Sequence, residues 1–466
     1  MTPQTLAWSW LKELQARPFT LLETAGPRSK KRFSLLAGEP LFVFEGRKSR
    51  SSLRCGAKTW KLALPPEKAF ARIGGALARR TRSGFWPLVH ALSYEAGGRF
   101  ERLPRPKLSP LDLPDWWAFL PGLWTWWEAS KGRWCAARAG LDAATARSLA
   151  RSLGLPLQAL APALVAPEEA YGSLRDILVS GRKMPARKPP DSSLRHGLID
   201  SMGKMAYCKA VRAIQRHILD GDVYQANLAH RFEVPFSGES FELYRGLTRI
   251  NPSPMSAYVD LGGLQVVSAS PERLFQLRGR QIETWPIAGT AGRNQRRGER
   301  QALRRSAKDQ AEHVMLVDLE RNDLGRVCVP GSVKVPRFKE VRSYSHVHHL
   351  VSQVCGTLLP GLALPQVLAA GFPGGSITGA PKIRCMQIIA DLEPEARAWY
   401  TGSLGWWDPR LRKADLNILI RTLFVADGKA MAGVGAGIVI DSKPEAEWRE
   451  TLAKAGALLL ALGVTT

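Results

Sequence analysis

Short apolar runs punctuated by Gly and Pro fill the first third of the chain and read as strands. Pro18-Phe19-Thr20-Leu21-Leu22-Glu23-Thr24 and Arg32-Phe33-Ser34-Leu35-Leu36-Ala37-Gly38 flank a turn at Gly26-Pro27-Arg28-Ser29. Leu41 to Phe44 and Val89 to Glu95 repeat the signal. Trp116, Trp117, Trp124, Trp126 and Trp127 lie where apolar and polar residues alternate, which favours core packing over a stacking platform for nucleic acid. From Gly154 to about Ser201 the composition turns to Pro, Ala, Lys and Arg, including Lys188-Pro189-Pro190-Asp191-Ser192-Ser193, as in a linker or a long mobile excursion. Helical periodicity returns from Met205 to Leu219 and ends at Asp220-Gly221-Asp222. The following run from Val223 to Phe232 reads as a strand with Gln225 and Asn227 on one face.

The second half alternates further short strands with two acidic, helix-like stretches. Met255 to Asp260, Leu264 to Ser268 and Leu274 to Leu277 are strand-like, and Pro286-Ile287-Ala288-Gly289-Thr290 is a loop whose small residues let backbone approach a ligand. Lys308 to Asp323 and Pro444 to Lys454 carry the helical signals. Ser345 to Ser352, with His346, His348 and His349, reads as a strand. Gly371 to Lys382 is a Gly-rich loop leading into a helix from Ile383 to Leu392; Tyr400 to Trp407, Asp415 to Val425 and Met431 to Ile440 close the chain as strands.

Length and composition narrow the class. A chain of 466 residues with 45% hydrophobic content buries a sizeable core, either as two to three domains or as one large α/β body. No apolar run of about 18 residues marks a membrane span, and Met1 to Trp10 lacks the features of a signal peptide, so a cytoplasmic protein without membrane attachment is expected. Six scattered cysteines without C-x-x-C spacing argue against zinc and against a disulfide framework.

The 66 Lys plus Arg against 41 Asp plus Glu leave a formal charge of +25, which raises nucleic acid as a partner. The excess is spread over short clusters (Arg28 to Arg32, Arg79 to Arg82, Arg182 to Lys188, Arg293 to Arg300, Arg304 to Arg305) with no nucleic-acid-binding motif beside them. A diffuse field that steers a small dianion, or that serves solubility, accounts for it, and no nucleic-acid partner is expected.

The chemistry concentrates in a few places. On helices, Asp309 shares a face with Glu312, and Glu447 shares one with Glu450 and Lys454. Two such faces suit a hard cation such as Mg²⁺, which takes carboxylate oxygens and leaves positions for water and an anionic substrate. Two ordinary amphipathic helices with solvated acids would look the same. Glu272, at the break Ser270-Pro271-Glu272, is a candidate acid or base, against the common outcome of an exposed turn carboxylate. Each lone histidine of the 346–349 cluster is more often packed than catalytic. The 371–382 loop is not a P-loop, although an anion at the helix start that follows it is physically reasonable. Arg421, inside Ile418-Leu419-Ile420-Arg421-Thr422-Leu423-Phe424, demands a partner that a bound carboxylate could supply, with Gly433-Val434-Gly435-Ala436-Gly437 nearby.

Taken in order, these motifs resemble the chorismate-utilising enzymes, a family that includes anthranilate synthase component I, aminodeoxychorismate synthase component I, and isochorismate and salicylate synthases. The likeness runs from Tyr207 to Leu460 through Gly221 to Leu228, Ser270-Pro271-Glu272, Pro286 to Thr290, Ala311-Glu312-His313, Arg321 to Leu324, His349-Leu350, Thr378 to Lys382, Ile420-Arg421-Thr422 and Glu447 to Lys454. Leu21 to Thr24 with Arg32-Phe33-Ser34 is similar to the family's N-terminal segment, where some members bind tryptophan.

The resemblance implies an α+β fold of two large, mainly antiparallel β-sheets facing each other with helices outside. It divides the chain into an N-terminal region (1–155), a linker or excursion (156–200) and a chorismate-binding catalytic region (201–466). It implies Mg²⁺ held by Glu312 and Glu450, with Asp309 and Glu447 nearby. It implies substrate contacts from Tyr400, Arg421, Gly435, Gly437 and Lys454, with Gly289 and Ser376 in the binding loops. His349 and Thr290 would contact the ring hydroxyl or its replacement, and Glu272 would protonate the departing C4 hydroxyl.

Within the family, Gly374 to Lys382 and Tyr224 to Leu228 look like the aminodeoxychorismate synthase branch, which leads to p-aminobenzoate and folate. Most such synthases carry a nucleophilic lysine where this chain has Ala288, and anthranilate synthases carry alanine. The expectation is therefore noncovalent: one ammonia adds at C2 to give 2-amino-2-deoxyisochorismate, and a second adds at C4 and expels the first, so that two glutamines are consumed per committed turnover. No G-x-C-x-G nucleophile elbow is present, so ammonia would come from a separate glutamine amidotransferase subunit, and an aminodeoxychorismate lyase would act downstream. The alternatives are anthranilate synthase component I, favoured by Ala288, isochorismate or salicylate synthase, and, from another class, a basic nucleic-acid-binding protein.

Overall fold

The computed structural model describes residues 2–13, 17–23, 33–80, 84–128, 133–164, 197–292, 298–343 and 347–464. Among them, 21 strands pair exclusively antiparallel and join into one continuous ladder, so the two expected sheets run into one another. The Ser34–Arg47 strand is one junction. Its first part pairs with Phe19–Glu23, its last part with Arg50–Cys55, and Trp116–Glu128 follows it throughout. Glu39, at φ 49°, and a register shift between Pro40 and Phe42 bend it midway.

The N-terminal residues are woven into the catalytic region. Phe19–Glu23 pairs with Met255–Asp260, and Leu88–Leu92 pairs with Ser403–Asp408. Trp116, Trp117 and Trp124 are buried in the core, as the core-packing reading expects, on a strand that is buried on both faces instead of alternating. In the 156–200 region, Leu157–Ala163 forms a 3₁₀ turn and the Ala163 carbonyl accepts from the Leu141 amide at 2.8 Å. Ile199–Asp200 pairs with the Gln225–Pro235 strand; the rest of that region, 165–196, lies outside the described residues. The turn predicted at 26–29 lies outside them as well.

Two helices bring the acidic stretches to the ladder. Ala307–Gly325 starts at Ser306, whose hydroxyl accepts from the Asp309 amide at 3.2 Å, and packs on Ile287–Gly292 and Val347–Thr357. Pro444–Ala461 packs on Lys429–Ile438 and on the Gly203–Leu219 helix. In the first of these the buried stripe includes Glu320 and Asp323 beside Leu316, Val317 and Leu324, so acids occupy positions that periodicity assigns to apolar residues.

Two predictions need correction. The run from Asp415 to Val425 is not one strand: Lys413–Asn417 pairs with Arg273–Arg278, whereas Thr422–Ala426 pairs with Leu264–Ser270, and the chain changes partner across 418–421. Likewise 286–290 is not a loop. Ile287–Gly292 is a strand against Val347–Thr357, bulged between Ala288 and Thr290, where Gly289 takes φ 60°.

Candidate active site

The site forms where two neighbouring segments change partner at the same level. Residues 269–272 carry the chain from the Leu264–Ser270 strand to Arg273–Arg278, and 418–421 carry it from Lys413–Asn417 to Thr422–Ala426. The crossings are tied together: the Ala269 amide donates to the Arg421 carbonyl at 3.1 Å, the Ile418 amide to the Glu272 carbonyl at 3.1 Å, and the Ser270 hydroxyl to the Ile418 carbonyl at 2.6 Å. This zipping brings Glu272 and Arg421 together although they are far apart in sequence. Arg421 takes φ 50°, a left-handed conformation that a β-ladder residue does not adopt.

Glu272 is buried, and loss of hydration raises its carboxyl to about 7. The Ser376 hydroxyl, the Lys454 ammonium and the Arg421 guanidinium each pull the other way without overcoming burial. Ser376 sits in the Gly375–Ile377 turn. Its hydroxyl is buried without a partner at ordinary hydrogen-bond length, and its carbonyl accepts from Asn227 Nδ2 at 2.9 Å.

The Arg421 guanidinium donates to the neutral Asn251 Oδ1 at 3.3 Å, and burial lowers its pKa against the pull of Glu272. No carboxylate lies within ion-pair distance of it among the described residues.

His349 is also buried. Its Nδ1 lies 3.2 Å from the Gly289 carbonyl, and desolvation, helped by Arg421, lowers its pKa to about 4, so the ring is neutral at physiological pH. Opposite it in the ladder is Thr290, whose side chain lies outside the described residues. Ala288, buried and paired with Leu350, presents only a methyl group.

Gly289 must be glycine twice over. Its φ is positive, and a Cβ there would come within 3.0 Å of the Asp309 carboxylate. That contact seats Asp309 directly behind the bulge.

The Lys429–Ile438 strand lines another side. Gly433, Gly435 and Gly437 alternate onto one face, where a Cβ would meet the Tyr400 ring at 2.2 Å, the Leu228 carbonyl at 2.8 Å and Gln225 Nε2 at 2.1 Å. The last of these would also stand 3.6 Å from Glu312 Oε1. Tyr400 is buried, and desolvation holds its phenol protonated. Lys454 Nζ bridges the Gly435 carbonyl at 3.0 Å and Glu450 Oε1 at 2.8 Å. Glu447 is buried and accepts from the Ser442 hydroxyl at 2.8 Å.

No three His, Cys, Asp or Glu side chains among the described residues stand in a metal-ligating cluster. The donor chemistry nevertheless fits a hard cation. Glu312, with Gln225 Nε2 3.5 Å from it, lies against a buried Gln225 Oε1 that has no partner, an orphaned oxygen beside a carboxylate. Asp309, Glu312, Glu447 and Glu450 offer only oxygen.

Three groups emerge that sequence reasoning did not single out. Asn251 meets Arg421 from the end of the Ser240–Ile250 helix, and nothing in its sequence neighbourhood signals this. Glu393 and Arg397 form a buried pair, with Arg397 Nε donating to Glu393 Oε2 at 2.9 Å. Arg397 also donates to the carbonyls of Ile377 and Asn227 at 2.8 and 2.7 Å, anchoring the turn that holds Ser376. Their i,i+4 spacing was a readable signal. Finally, Lys382 Nζ pairs with Asp323 Oδ2 at 2.5 Å, one helical turn from the buried Glu320.

The antiparallel ladder, its crossing segments and the buried acid beside a cation define an enzyme of the chorismate-binding class: residues 25–460 match the profile of the chorismate binding enzymes, and the chain belongs to that family. Aminodeoxychorismate synthase component 1 from Bacillus subtilis is 45% identical over 260 residues, 55% of each protein, so this match spans about half the length of either. The protein of the same name from Salmonella typhimurium is 34% identical over 450 residues, 92% of this chain and 89% of that one. Proteins named anthranilate synthase component 1 are also among the relatives. The crystal structure of anthranilate synthase component I from Streptococcus pneumoniae superposes with a TM-score of 0.77 at 27% identity, covering 93% of both chains. No helix among the described residues is long and apolar enough to cross a membrane.

Proposed function

We propose that this chain is the chorismate-converting component of an aminodeoxychorismate synthase, replacing the C4 hydroxyl of chorismate by an amino group for p-aminobenzoate and folate synthesis in the cytoplasm. The observation that carries the reading is Glu272: a buried carboxyl that keeps its proton to about pH 7, next to a cation, Arg421, whose hydrogen-bond partner is a neutral amide. An anionic substrate that must expel hydroxide needs both, a carboxylate anchor and an acid at the leaving oxygen. The branch is supported by the 374–382 loop, where Ser376 acts on Glu272, and by the similarity that extends over nearly all of the Salmonella relative.

Arg421 binds a substrate carboxylate, displacing its weak contact with Asn251. Tyr400, Lys454 and the Gly435–Gly437 segment complete the carboxylate contacts. Neutral His349, fixed by the Gly289 carbonyl and paired with Thr290, faces the ring without adding charge. Glu272 protonates the C4 oxygen as ammonia attacks C2; the two ring double bonds shift, the C4–O bond breaks and water leaves. In the second addition ammonia attacks C4 and gives up a proton, the double bonds shift back, and the C2 amino group takes up a proton and leaves as ammonia, so one ammonia is retained for each water lost. Ala288 offers no nucleophile, and no covalent adduct forms. Asp309, Glu312, Glu447 and Glu450 would hold Mg²⁺, which when bound offsets the charge of the ring carboxylate. Ammonia is supplied by a glutamine amidotransferase subunit, and an aminodeoxychorismate lyase takes the product.

A second reading, anthranilate synthase component I, is favoured by Ala288 and by the relatives of that name, among them the Streptomyces coelicolor protein, 40% identical over 387 residues. Incubation of the purified chain with chorismate, Mg²⁺ and concentrated ammonium, with product identified by mass and fluorescence, separates the two. Material that an added lyase converts to p-aminobenzoate supports the proposal; anthranilate replaces it with the second reading, and a lysyl adduct in the intact mass removes the noncovalent route.

A further inference from the structure

Each acidic helix carries two carboxylates three residues apart and follows the second with a buried side chain that is hydrogen-bonded across to the ladder. On Ala307–Gly325 the run is Asp309-Gln310-Ala311-Glu312-His313, and on Pro444–Ala461 it is Glu447-Trp448-Arg449-Glu450-Thr451. His313 is fully buried, with Nε2 2.6 Å from the equally buried hydroxyl of Ser352 on the Val347–Thr357 strand. That serine is itself fixed: its hydroxyl accepts from the Lys339 amide at 2.9 Å and its own amide donates to the Pro286 carbonyl at 3.3 Å. On the other helix the fully buried Thr451 hydroxyl lies 2.9 Å from Nε2 of His230, which belongs to the Gln225–Pro235 strand. The Asp200 carboxylate accepts from His230 Nδ1 at 2.9 Å, and the Trp448 ring stacks on the imidazole with 4.8 Å between centroids.

We propose that His313 with Ser352, and Thr451 with His230 and Asp200, are positioning residues that hold the two carboxylate pairs at the angles a divalent cation requires. The inference rests on the reading of Asp309, Glu312, Glu447 and Glu450 as the cation's ligands. Apolar packing is non-directional and lets a helix turn slightly on its bed, whereas a short hydrogen bond fixes both height and rotation. At about 100° per residue, the anchor stands about 40° round the helix from the first acid of each pair and about 100° from the second, so it sets the direction in which both leave the helix. A rotation of about 10° moves a group about 5 Å from the helix axis by about 0.9 Å. A Mg²⁺ ion, which demands near-octahedral oxygens at about 2.0–2.1 Å, does not tolerate such a shift.

The two helices take their reference from one part of the ladder. The strand that carries His230 also carries Gln225, whose Nε2 lies 3.5 Å from Glu312 Oε1 of the other helix. The neighbouring Lys429–Ile438 strand receives Lys454, the partner of Glu450, at the Gly435 carbonyl. Neither anchor belongs to the substrate contacts or to the acid at the leaving oxygen, so losing one should weaken metal binding and spare turnover once metal saturates.

The test is Mn²⁺ binding to the full chain, read as loss of the free-ion EPR signal with chorismate present and ammonium absent, beside the Mg²⁺ dependence of rate at saturating chorismate and ammonium. The proteins compared are the native chain, Ser352→Ala, Thr451→Val and Thr451→Ser. Thr451→Val keeps the shape of the side chain without its hydroxyl, and Thr451→Ser keeps the hydroxyl. Ser352→Ala and Thr451→Val should each weaken Mn²⁺ binding about tenfold and raise the half-saturating Mg²⁺ concentration by a similar factor, with kcat at saturating Mg²⁺ within about twofold of native. Thr451→Ser should stay within about threefold of native in both measurements, as a hydrogen-bond anchor requires. Native Mn²⁺ affinity in both hydroxyl-free variants, whether or not their urea midpoints fall, makes the contacts ordinary packing and overturns the inference. A native chain that takes up no Mn²⁺ and turns over without Mg²⁺ overturns the metal reading of the four acids itself, and the inference falls with it.

Discussion

Replacing Glu272 by Gln should stabilise the protein while disabling it, and only at pH values where the carboxyl of the unfolded chain is ionised. The carboxyl ionises near 4.5 when hydrated and near 7 in the folded protein, because burial removes its water. Between those values the folded state binds a proton that the unfolded state has released, so stability falls as pH rises. A gap of roughly 2.5 in pKa corresponds to about 3 kcal/mol, complete above pH 7 and absent below pH 4.5. Glutamine has the same shape and no proton to lose. Urea unfolding of both proteins at pH 5 and pH 8 measures the effect: the variant should gain about 3 kcal/mol at pH 8 and only about 1 kcal/mol at pH 5. Its kcat should fall about 10²- to 10⁴-fold, the usual contribution of a positioned acid. An equal stability change at both pH values would refute the claim that burial, rather than an altered contact, raises this group.

Other consequences follow from the same geometry. Arg421→Gln should raise the KM for chorismate about 10- to 150-fold, the loss of one charge-assisted contact of about 1.5–3 kcal/mol, as read by steady-state kinetics. Glu312→Gln should abolish Mg²⁺-dependent turnover. Gly437→Ala, whose methyl would come within 2.1 Å of Gln225 Nε2, should raise the Mg²⁺ concentration for half-maximal activity about tenfold, seen in a Mg²⁺ titration of rate. Far from the site, Asp408 is fully buried, pairs with Arg80 at 3.0 Å and accepts from the Trp86 amide at 2.7 Å. Asp408→Ala strands the guanidinium and should cost about 3–5 kcal/mol in chemical denaturation with kcat little changed in the surviving fold.

Local pattern by itself determined the elements and the inventory of chemistry. Period-two runs mark the strands from Phe19 to Ile438, and the two acidic helices with their shared faces can be read without coordinates, because periodicity and caps act over a few residues. Arg421 announces itself as a charge in an apolar run, and the ordered motifs from Gly221 to Lys454 point to the family. What the chain does not carry locally is which segment lies beside which. That Glu272 and Arg421 meet follows from two strands changing partners at the same level, a pairing settled by burial over more than a hundred residues of sequence separation. The strand read as continuous across Arg421, and the loop that proved to be a bulged strand at Gly289, failed for the same reason, since the partner strand decides where a ladder breaks. Glu320 is the sharpest case. In sequence it is one more acid on an amphipathic helix, and only the turn of Gly375 and Ser376 packing over it makes it a buried carboxyl beside Glu272, because desolvation is a property of the tertiary neighbourhood and not of the residue.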